Sequence, residues 1–119
     1  MRVRMAFCVV LLLAGLVATA RAQDATKVDP KHYTVLSEND QVRIVKVHYG
    51  PHEKSVMHSH PNAVAVMLTD MKAEFTLPDG KKQTMTAKAG DAMYTPAQTH
   101  LPENTGDKGM DLILVELKK

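Results

Sequence analysis

Residues 56–68 read Val56-Met57-His58-Ser59-His60-Pro61-Asn62-Ala63-Val64-Ala65-Val66-Met67-Leu68. Two extended segments follow from this stretch, 56–60 and 63–68. The second is a nearly continuous apolar run of strand length. Side chains alternate faces along a strand, so His58 and His60 project from the same side. Forty residues after His60 stands His100, in Thr95-Pro96-Ala97-Gln98-Thr99-His100. Placed on a neighbouring strand, it would complete a three-nitrogen pocket of the kind that holds a divalent metal. No acidic residue follows His60 closely enough to supply a fourth ligand from the next strand.

Outward from this stretch almost every segment reads as strand. Residues 33–36 are short and β-branched, and 42–49 (VRIVKVHY) form a strong strand. A Gly-Pro break follows at 50–55. Residues 72–77 and 82–87 flank Pro78-Asp79-Gly80-Lys81, a hairpin turn in which Asp-Gly supplies a positive φ. A turn at 89–91 precedes a strand at 92–95. A loop at 104–109 leads to a last strand at 110–117. Nothing after residue 22 shows a helical period with caps. Many short strands with frequent turns predict an all-β sandwich or barrel. Barrel closure would also hide strand edges.

The first 22 residues read as a leader. Arg2 and Arg4 precede an apolar run from Ala6 to Ala20, and Ala20-Arg21-Ala22 offers a signal-peptidase site before Gln23. The run is shorter than the ~20 residues of a spanning helix. Cys8 does not stand after a small-residue cleavage box, so a lipid anchor is not expected. The expectation is a periplasmic or secreted protein with no membrane attachment after cleavage. Residues 23–31 would be a flexible lead-in and 32–119 one small domain. Without the leader, Lys+Arg falls from 15 to 12 against 13 Asp+Glu, so the basic balance belongs to the leader. A nucleic-acid partner, which needs a basic patch, is not expected. With no cysteine after residue 22, neither disulfides nor thiolate ligands are available.

The two histidine segments resemble the motifs of the cupin superfamily. The second cupin motif is similar to Gly90, Pro96, His100 and Asn104 here, one residue short between Pro96 and His100, with Gln98 where a glycine is usual. In the first motif His58 and His60 fit. His52 stands where the pattern has glycine, Val64 or Ala65 where it has glutamate, and Asp70-Met71 where it closes on glycine. The resemblance covers about residues 42–117. It implies an all-β jelly-roll β-barrel (double-stranded β-helix) and a metal held by His58, His60 and His100. Similar proteins include dioxygenases, isomerases and lyases, and pairing into a homodimer is common among them. The motif does not select a reaction.

Without the carboxylate, harder ions such as Mn²⁺ and Fe²⁺ would bind less well than Zn²⁺ or Cu²⁺, with Ni²⁺ also suited to imidazole. Gln98 is an alternative oxygen ligand and Glu103 an alternative general base. His32 is expected to be exposed, His48 an ordinary strand-end residue and His52 a surface residue. Asn104 would form a turn, and Tyr49 and Tyr94 would line a pocket or, by default, sit in the core. The methionines from Met57 to Met110 read as core filling rather than as a soft Cu(I) site. Two functions follow: a small cupin binding a divalent metal, or a non-catalytic barrel that captures a small molecule with metal absent or weak.

Overall fold

Alternation decides which face of each strand is buried. In residues 42–49, Val45, Val47 and Tyr49 are buried while Lys46 and His48 face out. In 110–117, Met110, Leu112 and Leu114 are buried at every second position. The computed structural model describes residues 23–119, and the expected leader lies outside them. Its strands are β1 (Tyr33–Glu38), β2 (Val42–Tyr49), β3 (His58–His60), β4 (Ala63–Met67), β5 (Met71–Thr76), β6 (Lys82–Ala87), β7 (Ala92–Thr95), β8 (Gln98–Asn104) and β9 (Met110–Leu117).

They form two antiparallel sheets, ordered β1-β2-β9-β4-β7 and β3-β8-β5-β6. The two sheets face each other as the expected jelly roll. β9 is the spine of the larger sheet. It pairs with β2 from Val42↔Leu117 to Tyr49↔Met110, and on its other side with β4. The core lies between the sheets, with Val45, Val47 and Met67 at 1–2% exposure. Burying each such side chain contributes roughly 1.5–3 kcal/mol.

Three local features differ from the sequence expectations. Residues 98–104 form one strand, β8, which takes Asn104 out of the loop expected at 104–109. The segment expected as a flexible lead-in carries a short helix, α1 (Ala25–Val28), whose first turn is capped by the Asp24 carboxylate. Ala25 is buried in the core and Asp24 is paired to Arg43, which ties the segment to the barrel. His32 is 5% exposed rather than a surface residue. It stacks on Tyr49 and lies between two carboxylates, Asp29 and Glu53.

His52 does lie at the surface, with φ 59°. That left-handed backbone explains why the cupin pattern favours glycine at this place. Asn104 is a turn-former, as expected. Its buried amide donates to the carbonyls of Gly50 and Lys108 and accepts from Gly106 N.

Candidate metal centre

The register of β3 against β8 assembles the site. His58 stands directly opposite His100, and His60 opposite Gln98. The two-residue period of β3 then brings His60 to the same inner face as His58. All three imidazoles are buried, at 1%, 7% and 3% exposure for His58, His60 and His100. Their ring centroids are 4.7 Å (58–60), 5.0 Å (58–100) and 5.1 Å (60–100) apart, each pair near perpendicular. One nitrogen from each lies within 4.8 Å of the others. The three residues singled out in the sequence therefore converge.

The nitrogens are short of partners. His58 Nε2, His60 Nδ1 and both nitrogens of His100 are buried without a hydrogen bond. A buried polar atom left unpaired costs about 1–3 kcal/mol. One nitrogen from each ring can meet the others, and a divalent ion is what three converging imidazole lone pairs fit. His58 is already set for this. Its Nδ1–H donates to the Val56 carbonyl at 2.8 Å, which leaves Nε2 with the lone pair.

Burial pushes the His58 pKa down to about 4, helped by the neighbouring His60. Burial, then His60 and His58, push His100 down to about 3. Both rings are therefore neutral near pH 7, the state a metal ligand requires.

Outer partners hold the triad in place. Ser55 Oγ lies 3.2 Å from His58 Nδ1 and donates to Asp29 Oδ2. His32 Nδ1–H donates to the same carboxylate oxygen at 2.7 Å. Glu53 on the far side of His32 is paired to Lys31 at the surface. A chain of polar contacts thus runs from His58 to solvent. It was not legible in the sequence, because its members lie far apart along the chain.

Glu116 is the other residue that sequence reasoning missed. Its carboxylate lies 3.6 Å from His60 Nδ1, too long for a hydrogen bond. Arg43 donates to its other oxygen, and Arg43 also holds Asp24. Burial pushes the Glu116 carboxyl up, but His60 and Arg43 outweigh this and hold it below the usual carboxylate range. A signal for it exists. Glu116 shares the inward phase of Met110, Leu112 and Leu114, an odd place for an acid.

The remaining candidates fall away from the centre or beside it. Gln98 lies on β8, across from His60, and lines the barrel cavity with it. Glu103 is out of phase with the buried His100, Pro102 and Asn104 and does not line that cavity. His48 is exposed and paired to Asp111. Ala65, at one of the two positions where cupins carry glutamate, gives the cavity a plain apolar wall. Tyr49 is buried as expected, whereas Tyr94 is 60% exposed at the cavity mouth.

The family model for the cupin domain matches residues 45–116. No curated protein matches the chain. Among solved structures, a cupin domain from Bordetella pertussis is 22% identical, with TM-score 0.68 over 73% of this chain and 92% of that one. A double-stranded β-helix protein from Klebsiella pneumoniae is 24% identical, with TM-score 0.57 over 71% and 74%. The polyketide cyclase RemF from Streptomyces resistomycificus is 16% identical, with TM-score 0.55 over 73% and 64%. At these identities the likeness extends to the fold alone.

Proposed function

The chain belongs to the cupin domain family, and on that premise we propose that it is an exported, metal-binding cupin holding one divalent ion through His58, His60 and His100. One observation carries the reading: three buried histidines each bring a ring nitrogen within 4.8 Å of the others, and their rings leave four nitrogens without a hydrogen bond. The export part rests on the leader pattern of residues 1–22. It predicts that protein recovered from the native host begins at Gln23.

The residues divide the work. His58, His60 and His100 supply the nitrogen donors. Val56 and Ser55 fix the ring orientation of His58. Glu116 places negative charge behind His60, and Arg43 keeps that carboxylate turned toward itself. A triad with no carboxylate of its own favours Zn²⁺, Cu²⁺ or Ni²⁺ over Mn²⁺ and Fe²⁺. When bound, the ion would supply Lewis acidity beside the barrel cavity that His60 and His100 line. In that cavity, Ala65, Phe75 and Met67 exclude water. No carboxylate lines the cavity among the described residues. That observation favours a second reading, capture of a small molecule without catalysis.

Calorimetric titration of chelator-treated protein with Zn²⁺, Ni²⁺, Cu²⁺, Fe²⁺ and Mn²⁺ tests the proposal. One site per chain is expected, lost in His58→Ala and His100→Ala. Absence of heat with every ion would sink it.

A further inference from the structure

The cavity beside the triad has a lining of unusual uniformity. It encloses about 260 Å³. An apolar cavity of about 150 Å³ takes a benzene, so this one holds roughly ten non-hydrogen atoms. Its wall contains no Asp, Glu, Lys or Arg among the described residues. Five of the six methionines after residue 22 line it: Met67, Met71, Met85, Met93 and Met110.

The polar groups are few. Two of them are His60 and His100 of the triad. Gln98 stands directly across from His60, Tyr94 and Thr95 come from β7, and the exposure of Tyr94 puts the mouth at the turn between β7 and β8. Tyr33 and Tyr49 also reach the wall, and their hydroxyls are bonded to each other at 2.6 Å, which uses one of the two O–H hydrogens.

We propose that this cavity takes a small, electrically neutral, largely apolar molecule that carries one oxygen at the end meeting the histidine triad. The neutral, apolar class rests on the lining alone. The direction of the oxygen rests on the metal reading above. In the metal-free protein a carboxylate or phosphate inside would lose its hydration and meet no Lys or Arg side chain to replace it. Thioether side chains are unbranched and adapt to irregular shapes, so the wall discriminates by charge more than by outline.

The test uses three probes of nearly one size: toluene, benzyl alcohol and benzoate. Binding is read by saturation-transfer NMR and calorimetry on chelator-treated protein and on Zn²⁺-loaded protein. In metal-free protein both neutral probes bind, and benzoate binds at least tenfold more weakly. With Zn²⁺, benzyl alcohol gains several-fold over toluene. Met85→Glu, which puts a carboxylate into the wall, abolishes binding of the neutral probes. Ala65→Leu, which fills space without adding charge, does the same should the first variant melt below the assay temperature.

Benzoate binding as tightly as benzyl alcohol to metal-free protein overturns the proposal. So does failure of both neutral probes to bind, or unchanged binding in folded variants. Equal gains for toluene and benzyl alcohol on Zn²⁺ loading overturn the assigned direction of the oxygen. If Zn²⁺ gives no heat but the neutral probes bind, the metal reading falls and the ligand class stands. If Zn²⁺ binds and the probes do not, the ligand class falls alone.

Discussion

Replacing His100 by leucine should stabilise the metal-free protein and destabilise the metal-loaded one. His100 is 3% exposed, and both of its ring nitrogens lack hydrogen-bond partners. Each unpaired buried group costs about 1–3 kcal/mol. Leucine is close to histidine in volume and brings no polar atom, and it would sit against Phe75, whose ring now meets His100 at 4.4 Å. The expected gain in chelator is about 2 kcal/mol, which for a domain of this size raises Tm by roughly 8–16 °C. Adding metal reverses the order. An ion at about a thousand times its Kd stabilises the wild type by ~4 kcal/mol through mass action and does little for a chain missing one ligand. Urea unfolding of both proteins, with EDTA and with Zn²⁺, gives the four midpoints needed. Two results would refute the reasoning: a His100→Leu protein less stable than wild type in EDTA, or a wild type that Zn²⁺ does not stabilise.

Acid should widen the advantage of His100→Leu in EDTA. His100 and His58 are held neutral when folded, with pKa about 3 and about 4, whereas the unfolded chain takes up protons near pH 6.5. Their contribution is therefore fully present above about pH 6.5 and is lost as pH falls toward those folded values, by about 2 kcal/mol for each histidine between pH 6.5 and 5. Urea midpoints across that range for the two proteins should diverge by about that amount; parallel curves would show that His100 titrates normally. Ser55→Ala should weaken metal affinity about tenfold by freeing His58 Nδ1 from one of its two partners, as read by chelator competition. Unchanged affinity would leave the Val56 carbonyl as the sole orienting group. His52→Gly should stabilise the fold by up to ~1 kcal/mol, since φ 59° strains any residue with a Cβ and the exposed pair with Asp107 contributes little. A loss of stability in urea would show that this turn depends on the imidazole.

The barrel was legible in the sequence where alternation and turn residues were strong. Residues 42–49, 82–87, 92–95 and 110–117 are strands with the expected bounds. β8 was hidden because Gln98, Thr99, His100, Pro102 and Glu103 show neither alternation nor β propensity, and a proline argues against an inner strand. The fold accommodates it because β3 is three residues long and pairs only with 98–100, so Pro102 lies beyond it. The triad was legible because a His-x-His spacing projects two rings from one face. Its support was not. Glu116 reaches His60 only because β9 pairs it with Ala63, and that register is a property of the assembled sheet. His32 carries no periodic signal, and its partner Glu53 is 21 residues away.

The central claim is that three histidines close on one ion. Elemental analysis of untagged protein, equilibrated with Zn²⁺ and freed of excess, tests it most directly when run beside the variant with His58, His60 and His100 all changed to alanine. The account predicts one ion per chain in the wild type and none in the triple variant. A wild type without metal, or a triple variant that retains it, would contradict the account.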